Sequence, residues 1–262
     1  MFHEPQKPLK RLTSLDAFRG IAIAGMILVN MAGVADQVYP SLLHAGWNGY
    51  TPADFVFPFF LFIVGVAMAF SLSKYTDSAV APTPLINTPL HSNIVVETDA
   101  GTPGRGDAQK MNVLRMNATW YKGGKGRLYL RILGRSAILF ALGLFLNGFW
   151  NYDWSTIRIM GVLQRISLAY LLTALIVLNV PRKGQWILAA VLLIGYWLAM
   201  SFVPVPGYGA GVLTRDGNLG AYIDRLIIGT AHLYKGDKFN SMGDPEGLFS
   251  TLPAVVTVLL GY

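Results

Sequence analysis

The chain has 262 residues, of which 53% are hydrophobic and only 13% are charged, and its formal net charge is +7. A soluble domain usually carries about 25% charged residues, so this composition excludes an ordinary water-facing surface and predicts a polytopic membrane protein. The basic excess does not imply a nucleic-acid partner, because Lys and Arg collect in particular loops, as membrane topology requires. Because cysteine is absent, disulfides, thiolate catalysis and cysteine metal sites are excluded.

The first apolar run extends from about Ala17 to Val34 and is predicted to be a membrane span. Three basic residues precede it, which predicts a cytoplasmic N-terminus. A cleaved signal peptide is the alternative, since small residues at positions 33 and 35 would suit a cleavage site. The run is longer than an ordinary signal core and further apolar runs follow it, so we favour a span.

A second span is predicted from about Ala53 to Leu72. Residues 35–52, between the two spans, contain no Lys or Arg, which predicts that this loop faces the outer side. After the second span, the chain from Lys74 to Arg127 is polar and shows no usable period. Its first part, residues 76–110, is rich in Pro, Ser and Thr and is predicted to be a flexible cytoplasmic loop.

Three further spans are predicted to cover about Leu128–Phe149, Ile157–Val180 and Gln185–Val203. A loop of about forty residues follows, and its balanced charges suit a structured outer loop that covers a site. The last apolar segment ends after about a dozen residues, whereas a spanning helix needs about twenty. The sequence therefore predicts an all-α transmembrane helix bundle with five complete spans and part of a sixth. Residues 1–262 would form one domain, which we expect to be incomplete at its C-terminus.

His44 is the leading candidate for chemistry in the outer loop. It stands close to Trp47 and Asn48, where the chain enters the second span. Imidazole titrates near neutral pH, so this placement suggests proton-transfer chemistry at the lipid boundary. A solvated loop residue is the alternative. Asp54, ten residues further on, could orient the imidazole, or it could complement the helix macrodipole.

Asn30 is a polar residue in the outer half of the first span. Its amide could donate a hydrogen bond to an oxygen on which negative charge develops during a reaction. An interhelical hydrogen bond, which is common in membrane bundles, is the alternative.

Arginines near the cytoplasmic ends of the spans are candidates for phosphate binding. Arg19 stands three residues after Asp16 and can pair with it. Arg131 and Arg135 share a helical face, and guanidinium groups bind phosphates bidentately, so they could anchor a ligand that carries phosphate groups. Snorkelling towards lipid headgroups is the alternative.

Arg165 is predicted to lie too deep in the fourth span to snorkel comfortably. A charge at that depth needs a polar cavity or a partner. Arg165 is therefore expected either to line the site or to pair with a carboxylate such as Asp16 or Asp54.

Four stretches of the chain resemble heparan-alpha-glucosaminide N-acetyltransferase and its bacterial relatives, a family of transmembrane acyltransferases. They are RLTSLDAFRGIAIAGMILVN, LLHAGWNGYTPADFVFPFFLFIVG, IRIMGVLQRISLAYLL and GDPEGLFSTLPAVVTVLLG. The resemblance implies transfer of an acetyl group from cytosolic acetyl-CoA to an amino sugar or glycan on the outer side. It also places the family's catalytic histidine on His44 and its asparagine on Asn30.

The combined prediction is an acetyl-CoA-dependent acyltransferase of the bacterial inner membrane, in contact with lipid. The catalytic candidates are His44, Asn30 and Asp54, and the candidates for acceptor binding are Trp47 and Asn48. The candidates for cofactor binding are Arg19, Arg131, Arg135 and Arg165. No metal-ligand spacing and no nucleic-acid motif is present.

Two other classes of function remain as alternatives. One is a transporter or channel for a small polar solute, whose buried charges would line a pathway. The other is a membrane scaffold without chemistry. The acceptor, the acyl chain length, the choice between direct transfer and an acetyl-histidine route, and the oligomeric state, with a homodimer as one option, stay open.

Overall fold

The computed structural model describes residues 13–30, 39–76, 105–149, 152–236 and 240–262. In these ranges the regular structure is helical, which confirms the predicted all-α fold. The α-helices are α1 (Thr13–Asn30), α2 (Pro52–Thr76), α3 (Arg105–Gly148), α4 (Val162–Asn179), α5 (Arg182–Phe202), α6 (Leu219–Ile227) and α7 (Thr251–Gly261).

Among the described residues, four helical segments are long and apolar enough to cross a membrane: 52–72, 126–148, 162–179 and 182–202. Their outer faces carry large exposed apolar side chains such as Leu130, Ile138 and Trp186, as lipid contact requires. The predicted first span corresponds to α1, which is not one of these four. Since residues 31–38 lie outside the described ranges, a complete first span stays a prediction.

Helix α3 begins well before the predicted third span. Residues 105–127 were expected to be irregular, but they are helical. The expectation was wrong because it rested on the lack of a hydrophobic period, which reports burial rather than helicity. This stretch contains no proline and many good helix formers. The predicted flexible loop lies mainly in residues 77–104, outside the described residues.

The fourth span, in contrast, begins later than predicted, at Val162 rather than Ile157. Residues just before the helix bond to another loop instead: the amide of Ile159 donates to the carbonyl of His232 (3.2 Å). The imidazole Nδ1 of His232 lies 2.8 Å from the carbonyl oxygen of Ile157. Apolar composition alone could not show that this segment pairs with a distant loop.

The core forms where α7 packs against α2, α4 and α5. Leu61 of α2, Ala169 of α4 and Val258 of α7 are almost completely buried there. Helices α2 and α7 approach each other through glycines. A Cβ added at Gly65 would overlap the carbonyl oxygen of Val258, and one added at Gly261 would overlap that of Phe62. Small residues permit such close contacts between membrane helices.

The connections α1–α2, α3–α4, α5–α6 and α6–α7 lie at one end of the bundle, here called the loop end. Contacts between them establish this arrangement. The indole N–H of Trp47 donates to the carbonyl of Leu213 (2.6 Å), and Arg158 donates to Asp244. The predicted structured loop after the fifth span is therefore present, and it lies over the loop that carries His44.

Candidate functional site

The N-terminus of α2 positions the loop of residues 39–51, here called the histidine loop. The His44 Nδ1 atom lies 2.7 Å from Oδ1 of Asp54. The other oxygen of Asp54 accepts hydrogen bonds from the amide (2.8 Å) and hydroxyl (3.0 Å) of Thr51 and from the amide of Ala45 (3.3 Å). Thr51 precedes the helix, so one carboxylate oxygen caps α2 while the other holds the imidazole.

The sequence left two interpretations of Asp54 open, orientation of the imidazole and stabilisation of the start of α2. In this geometry one carboxylate serves both. The side chain of His44 is 59% exposed and that of Asp54 is 21% exposed. When the ring donates from Nδ1 to the carboxylate, Nε2 is the nitrogen placed for proton transfer with a reactant. The carboxylate would also stabilise the imidazolium that forms when Nε2 takes up a proton.

The α5–α6 connection also holds the histidine loop in place. In addition to the bond between Trp47 and Leu213, a guanidinium N–H of Arg215 donates to the carbonyl of Gly46 (3.0 Å). The guanidinium carbon of Arg215 lies 5.6 Å from the centre of the Trp47 ring, within the range of a cation–π contact. These contacts join segments that are 166 to 169 residues apart.

An open cleft of about 400 Å³ lies between the two loops. Its lining residues are Trp47, Asn48, Leu213, Thr214, Arg215 and Asp216. The indole supplies an apolar face, and the amide, hydroxyl and carboxylate groups supply hydrogen bonds. A small ligand with one apolar face, several hydroxyl groups and an amine would be complementary to this lining. The two residues predicted for acceptor binding, Trp47 and Asn48, thus lie side by side in the cleft.

A cluster of charges that the sequence did not predict ties the α3–α4 loop to the α6–α7 connection. Arg158 donates to both carboxylate oxygens of Asp244 (2.9 and 2.6 Å) and also to Glu246. Its guanidinium carbon lies 4.3 Å from the ring centre of Tyr234. Burial works against the charge of Arg158, but the bonds to the two carboxylates outweigh it and raise the pKa above its ordinary value.

Arg165 belongs to the same end of the bundle. It donates to the carbonyl of Pro245 (2.8 Å) and to the hydroxyl of Ser250. The expected pairing with Asp16 or Asp54 is therefore wrong, since the α6–α7 connection folds back onto the first turn of α4.

Asp224 of α6 is 2% exposed and anchors the chain just before α7. Its Oδ1 accepts a hydrogen bond from the amide of Leu248 (2.8 Å). A Cβ at Gly247 would overlap the other carboxylate oxygen, so this position suits glycine. Burial raises the pKa of the Asp224 carboxyl to about 6.

The remaining candidates lie apart from the loop end. Arg19 forms the predicted pair with Asp16 (3.7 Å), and both side chains are exposed. Arg131 and Arg135 lie on an exposed face of α3. Arg165 is thus separated from the other arginines proposed for the cofactor.

Asn30 is the last residue of α1, and its side chain lies outside the described part of the chain. Its predicted role as a hydrogen-bond donor therefore stays a prediction.

Sequence reasoning found His44, Asp54, Trp47 and Asn48 but missed Leu213, Thr214, Arg215 and Asp216. The missed residues lie in a glycine-rich loop without a local motif. The one available signal was the length and charge balance of the loop after the fifth span, which suggested a cover over a site without indicating which residues form it.

Comparisons with known proteins agree with the resemblance described above. The family model for the catalytic region of heparan-alpha-glucosaminide N-acetyltransferase matches residues 11–96, which include Asn30, His44 and Asp54. The human protein named heparan-alpha-glucosaminide N-acetyltransferase is 29% identical over 96% of this chain and 37% of its own length. The mouse protein of the same name is 28% identical over 96% of this chain and 38% of its own length. The predicted family resemblance is thus confirmed, and the chain spans a little over a third of the length of these relatives.

Proposed function

We propose that this chain carries out acetyl transfer across a membrane, from cytosolic acetyl-CoA to an amino sugar or glycan on the outer side. The similarity to proteins named N-acetyltransferases and the apolar helices support a membrane-embedded transferase. The observation that carries the proposal is the 2.7 Å contact between His44 and Asp54, since His44 belongs to the same loop as Trp47 and Asn48, which line the loop-end cleft. An oriented base therefore lies in the loop that lines a cavity suited to a polar acceptor.

In this proposal the acceptor lies in the cleft with its amine directed towards His44. As the neutral amine nitrogen attacks the thioester carbonyl, Nε2 of His44 takes the proton that this nitrogen loses. The new C–N bond forms as the C–S bond breaks, and the CoA thiolate then receives the proton. Asp54 stabilises the imidazolium between these two proton transfers. Transfer through an acetylated His44 would use the same nitrogen as nucleophile.

Asn30 has a separate role in the proposal, which is donation of a hydrogen bond to the carbonyl oxygen of the thioester. Negative charge develops on that oxygen during attack, and an amide donor stabilises it. The position of Asn30 at the end of α1, shortly before the histidine loop along the chain, is compatible with this role.

For the donor, the proposal assigns the nucleotide end of acetyl-CoA to arginines away from the loop end. Arg131 and Arg135 are one helical turn apart on an exposed face of α3, and Arg19 lies in the first half of α1. Their guanidinium groups fit the phosphates of the nucleotide in charge and donor geometry.

The test is acetyl transfer by the protein reconstituted in lipid vesicles, with acetyl-CoA inside and a panel of hexosamines outside, read out by mass spectrometry. We expect an acetylated hexosamine from the unaltered protein and a loss of about 10²- to 10⁴-fold for His44→Ala, the range for removal of a general base. Binding of acetyl-CoA should be nearly unchanged.

His232→Gln is the matched control, since it alters another loop-end histidine and keeps a donor for the carbonyl of Ile157. Unchanged turnover of His44→Ala would remove the proposal. Solute accumulation in the vesicles without acetyl-CoA would favour a transporter instead.

A further inference from the structure

The histidine loop has little regular structure of its own to fix it. Asp54 holds both ends of its stretch 44–51, through His44 and Ala45 at one end and Thr51 at the other. The residues between these ends form bends, and Gly49 has a positive φ of 120°. The middle of the loop therefore depends on contacts from elsewhere in the chain.

Those contacts come from the segment 213–215, which is itself well fixed. The buried side chain of Asn218 donates to the carbonyls of Thr214 (2.8 Å) and Arg215 (3.0 Å) and caps α6 by accepting from the amide of Ala221 (2.8 Å). Arg225 donates to the carbonyl of Asp216 (2.9 Å). These hydrogen bonds therefore fix the backbone of Arg215 to the start of α6.

The side chain of Arg215 connects this segment with the histidine loop at two points. Its guanidinium bonds the carbonyl of Gly46, two residues after His44, and also lies over the ring of Trp47. Lysine could supply the charge but not the flat group that makes both contacts at once. A shift of Gly46 would move the adjacent Trp47 in the cleft lining relative to the imidazole, because Asp54 holds the imidazole separately.

We propose that Arg215 is a positioning residue for the reaction, which holds the cleft lining in place relative to His44 by fixing the carbonyl of Gly46 and the indole of Trp47. This inference rests on the proposed function for its kinetic part only. The role differs from acceptor binding, since the arginine acts through the loop. A misplacement of about 1 Å at a reacting group can lower a rate about a hundredfold.

The kinetic test compares Arg215→Gln, Arg215→Lys and the charge control Lys183→Gln, which changes an exposed residue at the opposite end of the bundle. We expect kcat to fall about a hundredfold in Arg215→Gln with an unchanged KM for acetyl-CoA, to recover in part in Arg215→Lys, and to stay unaltered in Lys183→Gln. In a His44→Ala background, Arg215→Gln should cause no further loss, because the two residues act as a unit. A raised acceptor KM with unchanged kcat would overturn the proposal.

A second measurement does not depend on activity. Because the chain has no cysteine, a single Ala45→Cys substitution reports on the histidine loop through its rate of alkylation. Adding Arg215→Gln should raise that rate about tenfold, the effect of losing one charged hydrogen bond, while adding Lys183→Gln should not. An equal rate in both would overturn the positioning role even if transfer is observed. If no transfer is detected in the unaltered protein, the proposed function fails, and the alkylation rates still decide whether Arg215 holds the loop.

Discussion

Arg158 and Asp244, which are 86 residues apart in the chain, form two hydrogen bonds of 2.9 and 2.6 Å with each other. The side chain of Asp244 is fully buried and that of Arg158 is 22% exposed. The pair fixes the segment before α4 to the connection before α7.

Asp244→Asn should destabilise the protein by about 3 kcal/mol, because it leaves a largely buried guanidinium with one carboxylate fewer. Thermal unfolding in detergent at neutral pH measures the effect. Asp16→Asn is the matched control: its exposed pair with Arg19 should contribute about 0–1 kcal/mol. Equal melting temperatures for the two variants would show that the buried pair does not hold the loop end together.

Asp224 should make stability depend on pH between about 4 and 6. Its carboxyl has a pKa of about 6 in the folded protein, against an ordinary value of 3.8. Between these values the unfolded chain loses the proton while the folded protein keeps it, so stability falls as the pH rises, by at most about 1.4 kcal/mol per pH unit. Above pH 6 both states are ionised and the loss is complete.

The measurement for Asp224 is the melting temperature of the unaltered protein and of Asp224→Asn from pH 4 to pH 7. The amide keeps an acceptor for Leu248 but does not titrate, so the difference between the two proteins should change across this window and level off above it. A constant difference would contradict the raised pKa.

Asp54→Asn should lower turnover much more than Thr51→Ala. Both changes disturb the cap of α2, and loss of a cap costs about 0.5–2 kcal/mol of stability. Only the first removes the charge that faces His44 and stabilises its protonated ring. Initial rates of acetyl transfer, compared with melting temperatures, separate the two effects. If both variants lose activity in proportion to stability, Asp54 acts as a cap alone.

Arg131→Gln and Arg135→Gln should raise the KM for acetyl-CoA and leave the KM for the acceptor unchanged, since the proposal assigns them to the nucleotide phosphates. Each contact with a charged phosphate contributes about 1.5–3 kcal/mol, which corresponds to an increase of tenfold or more. Arg182→Gln, at the start of α5, serves as the control. An unaltered KM in both variants would leave snorkelling to lipid headgroups as the role of these arginines.

Gly65→Ala should destabilise the packing of α2 on α7 by about 1–3 kcal/mol, as overpacking does in other cores. The added methyl group would overlap the carbonyl oxygen of Val258. Gly195→Ala is the control, since a Cβ there meets no atom within 4 Å. Melting temperatures in detergent should therefore fall for the first variant and not for the second.

Much of the fold could be predicted because it depends on local properties of the sequence. The apolar runs that became α2, α4 and α5 were recognised from length and composition. The predicted start of α4 was wrong because contacts with a distant loop, which composition does not encode, changed it. The segment 157–161 is as apolar as a helix start, but its bonds to His232 hold it outside α4. The beginning of α3 was missed because a polar helix has no hydrophobic period.

The same distinction between local properties and distant contacts applies to the candidate site. His44 and Asp54 are ten residues apart in one loop and helix start, so their contact could be proposed from the sequence beside a helix-dipole role for Asp54. Arg165 was recognised as a charge that needs partners, but its assignment to Asp16 or Asp54 failed, because the groups around it come from the connection before α7.

The sequence by itself determined that this is a helical membrane protein with an imidazole and a carboxylate at the entry to its second span, because these features depend on composition and short spacings. Only the tertiary structure decided that Arg215 holds Gly46 and that Arg158 binds Asp244. Those contacts join segments 169 and 86 residues apart, and no local preference encodes which distant loops meet once the helices have packed.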